Sequence, residues 1–184
     1  IEPNQAKRAL VIEQIDKRVN TVNTSSLGRV FDVVAGLLGL GTYNHFDAQL
    51  PMALESIAAP DVEDSLPFDL IREGDEPVKI SLRRTFRELV DEIRRRRDEG
   101  ELSAMFHNTL AEALVALAEA ARTSTNLETV ALSGGVFCNR YLANRVITRL
   151  GQAGFTVLCN QNVPANDGGI ALGQAAIAVR IAGN

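Results

Sequence analysis

The last third of the chain constrains the fold most. Thr129-Val130-Ala131-Leu132 and Phe155-Thr156-Val157-Leu158-Cys159 read as two short apolar strands, with a helix at about 139–150 between them and a small-residue helix to about 182 after the second. Two strands separated by a helix imply a right-handed crossover and parallel pairing, so this segment predicts a βαβα unit. The first strand runs into the glycine turn Ser133-Gly134-Gly135, and the second leads through a polar loop, 160–167, to the turn Asn166-Asp167-Gly168-Gly169; each turn opens a helix. Both turns therefore fall on the carboxyl edge of one sheet, the edge at which open α/β folds bind ligands.

The chemistry of that edge has a functional and a plain reading. In the functional one, Gly134 and Gly135 let a ligand approach bare backbone, and the helix that follows offers free N–H groups and the positive end of its dipole to an anion. Asn139, in the first turn of that helix, can donate and accept. In the plain reading these residues make a tight turn with a capping Asn. Asp167 likewise either caps its helix or holds a divalent cation beside a phosphate. The wording is neither GxGxxG nor a P-loop, which disfavours a dinucleotide fold and a Walker ATPase. Cys138 sits in the first turn, where a thiol can become acidic, but no base partner is evident in sequence.

Upstream the chain reads as helical. Residues 5–19 carry Ala6, Leu10, Val11, Ile15 and Val19 at helical spacing. Asn23-Thr24-Ser25-Ser26 is a capping cluster before a helix at 27–40 with Leu27, Val30, Phe31, Val34, Leu37 and Leu38 on one stripe, ended by Gly39 and Gly41. Asp32 lies off that stripe among Gly28, Ala35, Gly36 and Gly39, placed either to accept hydrogen bonds from a ribose or an amide, or simply solvated beside a close helix packing; Arg29 is a phosphate clamp or a surface residue. A helix at 50–59 ends before Pro60. The segment 61–82 predicts a hairpin, Phe68–Ile71 against Val78–Leu82 across Glu73-Gly74-Asp75. Helices follow at 83–97 and 102–122, the second with Phe106, Leu110, Ala113, Leu114, Leu117 and Ala121 on one face and His107 beside it as a structural histidine. Arg94–Arg97 reads as a solvated face at a helix end.

Composition closes off several classes. The 184 residues are 46% hydrophobic and 23% charged, which is globular rather than disordered. No run of about 18 apolar residues exists, so no membrane-spanning helix is expected. The net charge of −4 and 5% aromatics argue against a nucleic-acid grip or stacking platform. Two histidines cannot build a His-rich metal site, and two cysteines without CxxC spacing fit the reducing cytoplasm. Ile1-Glu2-Pro3-Asn4 has no initiator Met and no signal-peptide pattern, and reads as a cut into a longer chain.

Three ordered motifs then resemble one family. Thr24-Ser25-Ser26-Leu27-Gly28-Arg29-Val30-Phe31-Asp32, the segment Ala131–Asn139 and the segment Val163–Ala175 look like the C-terminal region of the HypF carbamoyltransferases of [NiFe] hydrogenase maturation, over about residue 22 to the end. The same module resembles the catalytic subunit of tRNA threonylcarbamoyladenosine synthase and antibiotic O-carbamoyltransferases. The resemblance implies the second lobe of an actin/Hsp70/sugar-kinase (ASKHA) nucleotide-binding fold: helix-rich α/β, a single lobe with a small mixed sheet, helical at 1–60, hairpin at 61–82, helical again at 83–122, and the βαβα unit at 128–184. It implies that the full enzyme makes carbamoyl-adenylate from carbamoyl phosphate and ATP in another domain, and that this module passes the carbamoyl group to the C-terminal cysteine of the acceptor protein HypE, the source of the cyanide ligand of the hydrogenase iron. Asp32, Gln49, Gly134, Gly135 and Asn139 match nucleotide contacts, and Asp167 matches a ligand to a divalent metal (Mg, Zn or Fe). Asp47 and Ala48 stand where the family has Glu and Gly, and Cys138 where it has Gln. The family's His-x-x-x-His metal pair does not occur in this chain. The remaining ligands are then expected in an N-terminal lobe, and this lobe is expected to be inactive alone. Transfer to a tRNA adenosine or an antibiotic hydroxyl, and a non-catalytic lobe docking partners through helices 83–122, are the other readings.

Overall fold

The computed structural model describes residues 4–74 and 76–183. The reading of the N-terminus at Ile1–Pro3, Asp75 of the expected hairpin turn, and Asn184 lie outside them. The chain forms two compact units, divided between Leu54 and Glu55.

In the first unit, α1 (Gln5–Lys17) is capped by Asn4, whose side chain accepts from the N–H groups of Ala6 and Lys7. The helical spacing of its apolar residues holds, yet none of its residues is buried, so the stripe is not a core face here. α2 (Leu27–Leu37) buries Phe31, Val34 and Ala35. It stops three residues short of expectation because the chain turns through Gly39 at φ 77°. The cluster before it caps less than expected: the Ser26 side chain makes no cap bond, while Thr24 Oγ1 accepts from the Ser26 N–H. α3 (Gln49–Ser56) buries Leu50 and Leu54 and ends before Ile57 and Ala58; the boundary between the units falls inside it.

The second unit is built around α5 (Glu99–Thr125), roughly 40 Å long. Asp98 caps it, accepting from Gly100 and Glu101, so the helix starts three residues before the expected position. Every residue from Leu102 to Ala111 is buried, polar ones included; the single apolar face expected at 102–122 is in fact a helix enclosed on all sides over this stretch. Most of the buried polar groups find partners, Asn108 Oδ1 being left without one among the described residues. Thr109 Oγ1 donates to Met105 O and accepts from Leu66 N–H, and the Asn108 amide donates to the carbonyls of Val62 and Asp64. These bonds fasten the loop 62–66 to the core.

β1 (Asp69–Ile71) and β2 (Lys79–Ser81) pair antiparallel with Leu70 opposite Ile80, followed by α4 (Arg83–Arg94). β3 (Thr129–Leu132) and β4 (Thr156–Cys159) pair parallel, Thr129 opposite Thr156 and Leu132 opposite Cys159. A short 3₁₀ turn (Gly135–Cys138) and α6 (Arg140–Gln152) connect them; a second 3₁₀ turn (Asp167–Gly169) leads into α7 (Ile170–Ala182). The βαβα unit is thus formed, with Leu142, Val146 and Leu150 of α6 buried. The small mixed sheet is not: among the described residues there are two separate two-stranded sheets, because the three-residue hairpin strands pair only with each other. α7 has no buried residue. No helix of the described residues is long and apolar enough to cross a membrane.

Candidate nucleotide site

Because β3 and β4 end in register, their two glycine turns emerge side by side, and the main chain joins them: the Gly134 N–H donates to the Ala165 carbonyl at 2.8 Å. Gly134 sits at φ 104°, ψ 157°, a conformation closed to residues with a Cβ. A Cβ on Gly169 would lie 2.9 Å from Pro164 O, so the second glycine pair is demanded by the loop folded against it. Ser133, Gly134 and Gly135 are exposed, leaving bare backbone on this edge.

The start of α6 departs from the expected open anion site. Asn139 is its N-cap, with Oδ1 accepting from Leu142 N–H at 2.8 Å. Glu55 Oε1 accepts from the N–H groups of Arg140 at 2.7 Å and Tyr141 at 3.3 Å. The protein's own carboxylate therefore occupies the dipole end that a ligand was expected to use. The Asn139 amide also donates through Nδ2 to His107 Nε2 at 2.9 Å. His107 is fully buried, and its Nδ1 donates to Ser103 O at 2.7 Å, since a carbonyl only accepts. That fixes a neutral imidazole with its lone pair on Nε2. Burial pushes its pKa down to about 4, against the smaller raising effect of the Ser103 bond. Tyr141 packs on the imidazole at 5.0 Å between ring centres and donates its hydroxyl to Ala59 O. His107 is the structural histidine expected, but its tie to the glycine turn, and the role of Glu55, had no local sequence signal; the partners are 32 and 85 positions apart.

In the second turn Asn166, not Asp167, is the cap, with Oδ1 accepting from Gly168 N–H. The Asp167 carboxylate is exposed and has no hydrogen-bond or ion-pair partner among the described residues. No three His, Cys, Asp or Glu side chains among the described residues converge on one point. These residues offer a divalent metal one ligand, not a binding site. Cys138 and Cys159 are exposed free thiols. Cys138 gains no base from His107, whose Nε2 already serves Asn139.

In the first unit, Asp32 is largely buried rather than solvated: its side chain is 15% exposed. Oδ1 accepts from Asn44 Nδ2 at 3.0 Å, and Asn44 Oδ1 in turn accepts from Leu50 N–H. Oδ2 lies 3.0 Å from Arg29 Nη2, an ion pair off the line of a hydrogen bond. Arg29 is a surface residue, its side chain 61% exposed, and is paired with Asp32. A Cβ on Gly28 or Gly36 would meet only ordinary contacts, so no close helix packing explains them. Gln49 Oε1 accepts from His45 N–H at 2.8 Å, which holds the loop before α3. The predicted contacts thus form two local groups, Asp32 and Gln49 in the first unit and Gly134, Gly135, Asn139 and Asp167 in the second. A groove of about 670 Å³ on the outward side of α6, with Glu63, Tyr141, Arg145 and Arg149 in its wall, includes no residue of either glycine turn; Arg145 there is bound to Glu63 and Arg149 to Glu112.

A parallel pair with two joined glycine turns at its carboxyl edge defines a helix-rich α/β module, and the comparisons give its family. The family model described as "Carbamoyltransferase, Kae1-like Domain, second subdomain" matches residues 1–174. The chain belongs to the HypF carbamoyltransferase family. It is 36% identical over 182 residues to a carbamoyltransferase HypF homolog of Cupriavidus necator, covering 96% of this chain and 45% of that protein. It is 33% identical over 164 residues to carbamoyltransferase HypF of Synechocystis sp., covering 89% of this chain and 20% of the relative. The crystal structure of full-length HypF in the phosphate- and nucleotide-bound form matches with a TM-score of 0.90 at 37% identity, over 97% of this chain and 23% of that one. HypF of T. kodakarensis matches with a TM-score of 0.77 at 26% identity, over the same shares. The chain spans less than half the length of each.

Proposed function

We propose that this chain is the lobe of a HypF-type carbamoyltransferase that holds carbamoyl-adenylate while the carbamoyl group leaves it, the second lobe of an ASKHA-type nucleotide site. The observation that carries the reading is the Gly134–Ala165 bond, which unites two exposed glycine turns into one backbone edge where the two strands end. The match to a structure in the phosphate- and nucleotide-bound form supports a nucleotide as the ligand. In the reaction the acceptor thiolate, the C-terminal cysteine of a HypE-like protein, attacks the carbamoyl carbon. The new S–C bond forms, the C–O bond to the phosphate breaks, and AMP leaves with the electron pair as an anion. With the N–H groups of Gly134, Gly168 and Gly169 bound within the protein, the Gly135 N–H is the glycine donor suited to that phosphate, a neutral donor that cannot be transferred or titrated away. Asp32 and Gln49 contact the nucleoside, and Asp167 supplies one ligand to a divalent metal whose other ligands come from outside this chain. Carbamoyl phosphate and ATP are the ultimate substrates, and the cytoplasm is the compartment. The docking alternative through 83–122 loses the stretch 102–111 of α5, which is buried, and keeps the rest.

The test is carbamoylation of the acceptor cysteine, followed by mass spectrometry, in the full-length native protein. Asp167→Ala and Asn139→Asp are each expected to abolish transfer while the acceptor still binds. Wild-type transfer rates in both variants would overturn the assignment.

A further inference from the structure

We infer that His107 is a positioning residue for the first glycine turn, setting and holding the Asn139 amide from inside the core; the inference rests on the reading of that turn as part of the nucleotide site. An amide has two nearly isosteric ends, and only one orientation serves here. With Oδ1 on Leu142 N–H, Nδ2 must find an acceptor, and a buried imidazole provides one only if its lone pair is on Nε2. The Ser103 carbonyl enforces that tautomer from the opposite side of the ring. A flipped amide would set Nδ2 against the Leu142 donor and Oδ1 against the Nε2 lone pair, losing both bonds. The path continues outward through the main chain. Asn139 N–H donates to Val136 O, Phe137 N–H to Gly134 O, and Gly134 N–H to Ala165 O. A chain of hydrogen bonds thus runs from the middle of α5 to the ligand edge. An apolar side chain would fill the core site at 107 without needing two partners, so the imidazole is explained by what its far nitrogen holds. One Asn139 N–H is left over and can face a ligand.

Three substitutions in the full-length native protein separate this role from packing. In His107→Phe the ring volume stays and both nitrogens go. His107→Asn mimics Nδ1 alone and keeps a donor for Ser103. His107→Gln reaches the Nε2 position and can still accept from Asn139. The probe is AMP, the leaving group of the proposed transfer, and the second readout is amide hydrogen exchange over residues 134–142. Expected are AMP binding weakened roughly tenfold and faster exchange in His107→Phe and His107→Asn, with near-wild-type values in His107→Gln. A folded His107→Phe that matches wild type in both readouts overturns the inference. Should wild type bind no AMP, the nucleotide reading falls and exchange alone decides this one. Should none of the variants fold, the ¹⁵N spectrum of wild-type His107 decides it: a protonated Nδ1 with an unprotonated Nε2 supports the inference, and a protonated Nε2 overturns it.

Discussion

At the scale of single residues, the second unit places a neutral, buried imidazole where protonation has no room. The folded pKa of His107 is about 4, lowered from an ordinary 6.5. Between those values the unfolded chain binds the proton and the folded chain does not. Stability contributed by the neutral ring is therefore complete above pH 6.5 and is lost as the pH falls toward 4. The loss amounts to about 3 kcal/mol. Denaturant titrations at pH 7, 5.5 and 4 should show it, and His107→Gln should flatten that part of the slope. Glu55 is the second residue whose effect exceeds its size. Removing its carboxylate in Glu55→Ala leaves the Arg140 and Tyr141 N–H groups without their acceptor. The expected cost is about 1 kcal/mol, seen as a melting temperature lower by about 2–4 °C. Neither residue announces itself in the sequence. His107 stands beside an apolar stripe and Glu55 near a helix end, and only the fold brings them to α6.

At the scale of elements, the βαβα unit was legible because it is local: strand lengths, glycine turns and the intervening helix lie in one continuous stretch, and the parallel register of β3 and β4 agrees with that reading. What was not legible came from elsewhere in the chain. The pattern of α5 suggested one apolar face because Ser103, His107, Asn108 and Thr109 look like a wet side. His107, Thr109 and the Asn108 NH₂ group have partners on the preceding turn of α5 or on the loop 62–66, which lets them be buried. Similarly, the open helix terminus expected after the first glycine pair is closed by a carboxylate from α3. The second glycine turn yields its own prediction. A Cβ at 169 would lie 2.9 Å from the Pro164 carbonyl and 3.2 Å from Val163 Cγ1, and the backbone cannot yield as a flexible side chain would. Gly169→Ala should destabilise by about 1–3 kcal/mol. Gly173→Ala, with nothing within 4 Å, should not destabilise, and denaturant midpoints compare the two.

At the scale of the whole molecule, large apolar side chains are left exposed. On α7, Ile177, Val179 and Ile181 are 63%, 74% and 72% exposed. The 184-residue chain by itself should therefore bind an apolar fluorescent dye, and Ile177→Lys with Val179→Lys should reduce the signal without lowering the melting temperature. Unchanged dye binding would place the responsible surface elsewhere. The net charge of −4 remains a poor match for nucleic acid. Among the described residues, Arg94, Arg95 and Arg97 are engaged with neighbouring carboxylates, as a solvated basic face at a helix end would be.

The bond between Gly134 N–H and the Ala165 carbonyl has a consequence for how such a module can drift. A contact made wholly by main chain is spelled by no particular side chain, so a codon change at 165 leaves the accepting carbonyl in place. Only proline at 134 would delete the donor outright. Gly134 itself is held to glycine by its backbone angle, φ 104°, not by the contact. The junction of the two turns is thus inherited with the geometry of the strand ends, and the side chains around it are free to vary as acceptors and loops change.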